Sequence, residues 1–248
     1  MPYLAYQGQR IFYKAKGKGE HLLILHGNTV SSAMMGGEYK HYRRVYRTFM
    51  FDYPGHGKSD PVKQFPDDFW RETAKCAAAV CAALGVQKTY VLGTEGGAMV
   101  ALNLAIEAPG LVKKVIADSF LGEKITVEEA KKTVSDRNGA IRGKFWYAWF
   151  LQHGFGYKKV MQMDNDMLLK FAESGRKYVP AGLEKIQCPV LFTGAKDNPV
   201  IENLDEKINA AKAKNPLFES KIFLTGGHMT AVSKKHEFRH MAEAWFNK

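Results

Sequence analysis

The residue best placed to do chemistry in this chain is Glu95, in the run Gly93-Thr94-Glu95-Gly96-Gly97. Thr89-Tyr90-Val91-Leu92 before it reads as a buried strand, and the Ala-rich stretch from Ala98 to Ala108 after it reads as a packed helix. At a sharp strand-to-helix turn, small flanking residues let the helix approach the strand closely, and the middle side chain is thrust into a pocket. A carboxylate held there can attack an electrophilic carbon without a base to activate it, or can exchange protons beside an imidazole.

The elements that would hold such a turn follow in order. Residues 2 to 16 read as a hairpin around Gln7-Gly8-Gln9, and His21-Leu22-Leu23-Ile24-Leu25 is an almost continuous apolar strand of the buried, parallel kind. A polar loop and a short helix follow. Thr48 to Asp52 supplies the next strand and runs into the Gly- and Pro-dense turn Tyr53-Pro54-Gly55-His56-Gly57-Lys58-Ser59-Asp60. Asp67 to Leu84 reads as a helix, with Asp67 and Asp68 at its positive end and Gly85 closing it. Strands are expected over Val112–Asp118, Val190–Gly194 and Glu219–Leu224, and helices over Ile201–Ala213 and Lys234–Phe246. Residues 120–185 are too many for an ordinary connection and are rich in helical pattern and aromatics, so they read as a helical cap on a core made of 1–119 and 186–248. The alternation predicts an α/β fold with a mostly parallel central sheet, helices on both faces and the active residues beyond the strands' carboxyl ends.

Composition narrows the class. A chain of 248 residues with 46% hydrophobic residues is long enough for one large domain. No apolar run approaches membrane-spanning length, and Met1-Pro2-Tyr3-Leu4-Ala5-Tyr6 alternates like a strand rather than starting a signal peptide, so a soluble, cytoplasmic protein without a membrane partner is expected. Cys76, Cys81 and Cys188 lack metal-ligand spacing and read as reduced, buried thiols. The net charge of +11 comes from scattered lysines with no nucleic-acid motif, which predicts a solvated basic surface and a small-molecule partner rather than a nucleic acid, with a faint bias toward anionic substrates. Neither a metal nor a cofactor is implied.

Four stretches, in order and sensibly spaced, make the chain resemble an α/β-hydrolase over essentially its full length. His26-Gly27-Asn28 follows the third strand, where that family places an oxyanion-hole loop. Asp52 to Ser59 matches the family's turn after the fourth strand, and Gly93 to Gly97 matches its nucleophile elbow. Asp197, in Gly194-Ala195-Lys196-Asp197, and His228, in Gly226-Gly227-His228-Met229, stand where the family has its triad acid and base. The resemblance implies a triad of Glu95, Asp197 and His228, and an oxyanion hole made by the backbone amides of Asn28 and Gly96. Asp118, ending a strand on the same edge, is the alternative acid. His26 is expected to brace loops, and His56 and Ser59 to serve their turn. The remaining histidines, His153 among them, are assigned surface or loop roles. In the cap, Trp146, Tyr147, Trp149 and Phe150 are expected to face an apolar part of the substrate.

Glu95 departs from the family's usual serine, and three readings follow. Relatives that attack saturated carbon use an aspartate there, followed by a bulky aromatic and accompanied by a proline in the oxyanion loop. Here Gly96 and His26-Gly27-Asn28-Thr29 stand in those places, and glutamate is one methylene longer. In the second reading the serine nucleophile has been lost, and Glu95 plugs the hole as an ion pair with His228, leaving a ligand- or partner-binding protein. A deliberate serine replacement is the third.

Overall fold

A computed structural model describes residues 2–248; Met1, read as part of the first strand, lies outside the described residues. Tyr3–Tyr6 (β1) and Gln9–Lys16 (β2) form the expected hairpin, with Tyr3 opposite Phe12. His21–Leu25 (β3) is followed by a 3-10 turn at Ser32–Met35, Gly36–Tyr42 (α1) and Arg47–Phe51 (β4). Phe69–Ala83 (α2), Thr89–Thr94 (β5), Gly96–Glu107 (α3) and Val112–Asp118 (β6) complete the first half. Val127–Arg142 (α4), Trp146–His153 (α5) and Tyr157–Glu173 (α6) fill the interval read as a cap. Val190–Ala195 (β7), Leu204–Lys212 (α7), Phe218–Phe223 (β8), Thr230–Ser233 (α8) and Lys235–Asn247 (α9) end the chain.

The eight strands form one sheet in the order β1-β2-β4-β3-β5-β6-β7-β8, parallel from β4 onward and antiparallel only at the β1-β2-β4 edge. Strand periodicity sorts the side chains onto two buried faces. Leu23, Leu25, Phe49, Phe51 and Val91 pack on the side that includes α2 and α3, whereas Leu22, Ile24, Met50 and Leu92 pack with α1 and α9. Both faces are dry, which is why these strands read as nearly unbroken apolar runs.

Element boundaries shift where side chains compete with the backbone. The helix expected from Ile201 starts at Leu204, because the Asn198 carboxamide accepts the Val200 and Ile201 amides and Asn203 adopts a left-handed conformation, φ 52°. The last expected helix is preceded by the short α8, which the sequence did not announce. In the long interval, α4 starts at a reciprocal capping box between Thr126 and Glu129.

Candidate functional site

The elbow forms because small residues allow two backbones to touch. A Cβ on Gly93 would strike the Gly97 carbonyl, and one on Gly97 would strike the Leu25 carbonyl, so only glycine lets α3 sit this close to β3 and β5. Glu95 lies between them at φ 53°, ψ −117°, an uncommon conformation for a non-glycine residue, pinned by its N–H donating to Asp118 O at 2.8 Å and its carbonyl accepting from Ala98 N at 2.9 Å. Thr29, Ser119 and Met229 also have positive φ, and all belong to loops at this same edge of the sheet.

The Glu95 carboxyl is turned inward and buried. Its Oε2 accepts the Asn28 amide at 2.5 Å, and the adjacent Gly96 amide favours the charged carboxyl, so both amides expected to form an oxyanion hole bear on Glu95 itself. The Asn28 side chain is held aside by Trp70 of α2, whose Nε1 donates to Asn28 Oδ1 at 3.2 Å. On the other side, Glu95 Oε1 lies 3.8 Å from Arg137 Nη2 of α4, and Arg137 Nη1 donates to Asp164 Oδ1 of α6 at 2.7 Å. Burial raises the pKa of both carboxyls above the ordinary range, with the Arg137 charge opposing the rise in each.

His228 lines the same cavity, and burial brings its pKa down to about 4, with Asp118 pulling it up and Arg137 pushing it down. The imidazole is therefore neutral at physiological pH. The Glu95–His228 ion pair foreseen in the second reading does not form, because Arg137 is the cation facing Glu95. Among the described residues His228 Nδ1 has no hydrogen-bond partner. Asp197, expected beside it, is exposed and spends Oδ1 on the Gly226 and Gly227 amides, each at 2.8 Å. It anchors the loop that carries His228 without bonding the ring. Asp118 is buried, accepting from Thr193 Oγ1 at 2.9 Å, the Ala231 amide at 3.0 Å and the Thr230 hydroxyl.

The cavity holds about 330 Å³ and is bounded by both the sheet loops and the helices of the long interval. Of the four aromatics expected to face it, only Trp149 lines it, where its Nε1 donates to Thr29 Oγ1 at 3.3 Å. Trp146, Tyr147 and Phe150 do not, because α5 turns one face inward and residues 149, 152 and 153 occupy it. The other helix face points to solvent.

His153 is not the surface or loop residue that the sequence suggested. Its Nδ1 accepts the Gly57 amide at 2.9 Å, which leaves Nε2–H to donate to the Thr29 carbonyl at 2.8 Å. Gln152 Oε1 accepts the Ser31 amide at 2.8 Å, so α5 fastens the loop that presents Asn28. Asp52 ties the same loop to its turn through the Ser32 and Lys58 amides. Arg137, Asp164, Trp70, Gln152 and Tyr178, which lines the cavity floor, had no motif. For all but Tyr178, which lies in the loop after α6, the only trace in the sequence was helical position. His26 braces loops as expected, its Nδ1 bonded to Gly27 O at 2.8 Å and its ring stacked on Tyr53. His56 lies buried within its turn, and Ser59 joins that turn to β2 by donating to Asp52 O and accepting from Phe12 N.

Comparison with known proteins agrees with the fold. A family model of the alpha/beta hydrolase fold matches residues 20–148, just over half the chain. A human relative named "Serine hydrolase BPHL" is 25% identical over 257 aligned positions, covering 97% of this chain and 84% of the relative. The 2-hydroxy-6-oxo-6-phenylhexa-2,4-dienoate hydrolase of Comamonas testosteroni is 32% identical over 113 positions, covering 43% of this chain and 38% of that one. The solved esterase of Exiguobacterium antarcticum superposes with a TM-score of 0.79 at 17% identity, covering 99% of each chain, a likeness of fold. With its parallel sheet, glycine-framed elbow and matching family model, this chain belongs to the α/β-hydrolase family and is a hydrolase of that fold.

Proposed function

We propose that this hydrolase uses Glu95 as a carboxylate nucleophile on a small, partly apolar substrate with an electrophilic saturated carbon. One observation carries the reading: Glu95 Oε2 is held by the Asn28 amide while Oε1 faces Arg137, and the residue lines the cavity. Arg137 opposes the rise that burial imposes on the Glu95 pKa and so favours the ionised form that attacks. Attack forms a carbon–oxygen bond to Glu95 as the leaving group departs with its electron pair. A water deprotonated by neutral His228 then adds to the Glu95 carbonyl carbon. The resulting oxyanion is the oxygen already held by the Asn28 amide, and its collapse, with His228 returning its proton to the departing oxygen, releases an alcohol and restores Glu95. Asp197 supports the His228 loop, Asp118 supplies the nearby negative charge, and residues 120–185 serve as the cap, with Trp149 touching the substrate. The human relative's serine route does not transfer to this chain, because an ester would have to form an anhydride with Glu95.

A second reading has its own observation. Neither Asp197 nor Asp118 bonds His228, and Glu95 occupies the position an ester oxyanion would need. A ligand-binding protein with an impaired site fits those facts. Turnover of short haloalkanes, epoxides and esters by the protein and by Glu95→Gln, Glu95→Asp and Glu95→Ser separates the two. The nucleophile reading expects the unmodified protein to act on a saturated-carbon substrate and Glu95→Gln to lose that activity. Saturable binding without turnover, with esterase activity appearing only in Glu95→Ser, refutes it.

A further inference from the structure

The aromatics of α5 that turn away from the cavity form a surface of their own. Phe155 is 95% exposed, Leu151 75%, Phe145 63%, Tyr147 51% and Trp146 43%. The patch is continuous, because the Phe150 ring contacts both Trp146 at 5.8 Å and Phe155 at 5.3 Å between centroids. Phe155 stands at its tip between Gly154 and Gly156, which carry no side chains to shield it. Folded proteins do not leave this much contiguous aromatic surface in water without a partner for it.

The charges around the patch say what that partner is. Between Asp136 and Asp164 the chain carries five basic residues and no acidic one. Arg137 turns inward to Glu95 and Asp164. Arg142, Lys144, Lys158 and Lys159 remain at the surface, and among the described residues none of the four has a carboxylate within ion-pairing distance, whereas Lys132, Arg176, Lys177 and Lys207, nearby in the chain or fold, are paired. An apolar, aromatic-rich helix face rimmed by unpaired cations is complementary to an anionic lipid surface, which accepts rings at the headgroup level and attracts lysines beside them. A second copy of this chain would bring the same unpaired cations together.

We propose that the α5 face, with Phe155 at its tip, docks on an anionic lipid bilayer. No helix among the described residues is long and apolar enough to cross a membrane, so the contact is one of lying on the surface. The same helix lines the cavity with Ala148, Trp149 and Gln152, so docking sets the cavity's α5 wall beside the lipid.

Sedimentation with vesicles of phosphatidylcholine containing about one-third phosphatidylserine, beside pure phosphatidylcholine, tests this without a substrate. The expected result is binding to the anionic vesicles only, weakened by salt. Each lysine near such a surface is worth roughly fivefold in partitioning, so the double variant K158Q/K159Q should lose roughly 25-fold. Phe155→Ala should lose about tenfold or more, and neither change should alter thermal stability, since all three side chains are exposed. K16Q/K18Q, on the distant β2 end, controls for net charge and should lose far less. Absence of vesicle binding, equal loss in K16Q/K18Q, or self-association abolished by Phe155→Ala without vesicle binding overturns the proposal. Because the readout is partitioning, its failure leaves the proposed chemistry at Glu95 untouched.

Discussion

Replacing Arg137 by methionine asks what holds a charged carboxyl pair inside this protein. The guanidinium is only 12% exposed and stands 3.8 Å from Glu95 Oε1 and 2.7 Å from Asp164 Oδ1. At an effective dielectric of about 20, the pair with Glu95 alone corresponds to roughly 4 kcal/mol of attraction, and the Asp164 contact to somewhat more. Burial of all three groups offsets much of that. Removing one partner nevertheless leaves the others uncompensated, and losses of about 3–5 kcal/mol are typical for buried pairs. The loss should depend on pH with a definite sign. Burial raises both carboxyl pKa values and Arg137 lowers them, so without Arg137 they rise further. A folded state that holds more protons than the unfolded one loses stability as pH rises. Arg137→Met should therefore be mildly destabilised at acidic pH, where Glu95 and Asp164 protonate, and severely so at mildly alkaline pH. Urea denaturation of both proteins across that range measures it, and adding Glu95→Gln to Arg137→Met should restore about 1–3 kcal/mol at the alkaline end. A loss below about 1 kcal/mol, or one that does not change with pH, would refute the reasoning.

Other consequences follow from the same geometry. With His228 brought down to about 4, its step in the acid limb of kcat/KM on any verified substrate should fall near that value rather than at the ordinary histidine range, below the step of Glu95, whose pKa burial raises. Arg137→Gln should move the His228 step upward and Asp118→Asn downward, and a limb at the ordinary value would mean that another group carries the profile. His153→Ala removes the bridge between Thr29 and Gly57, so turnover should drop roughly 10- to 100-fold. Rescue by glutamine but not by phenylalanine would identify the lost hydrogen bonds rather than lost volume as the cause. Burial pushes the thiols of Cys76 and Cys81 up to about 12 and that of Cys188 to about 11. A thiol reagent should therefore label none of the three until the protein unfolds, and rapid labelling of the native protein would contradict their placement.

The sheet was legible because both its faces are buried. Unbroken apolar runs such as His21–Leu25 and Thr89–Leu92 have few alternatives to a central strand, and the glycines around Glu95 mark a close approach that larger residues would block. Identity and local spacing thus determined the elbow, while the family resemblance pointed to the Asn28 loop and to His228, which both line the cavity. The environment of each charge depended on distant parts of the chain. Arg137 meets Glu95 across 42 positions and His153 meets Thr29 across 124, contacts that no local pattern encodes. The orientation of α5 was equally closed to inspection. Its residues are aromatic nearly all round, so periodicity could not say which of Trp146, Tyr147, Trp149 and Phe150 turned inward. Packing against the Asn28 loop decided that, placing Trp149, Gln152 and His153 inside and leaving a basic-rimmed aromatic face outside. The sequence alone determined which residue stands at the turn. Only the tertiary structure decided that its carboxyl is answered by an arginine and its histidine left neutral, because charge and burial are set by what packs around a group.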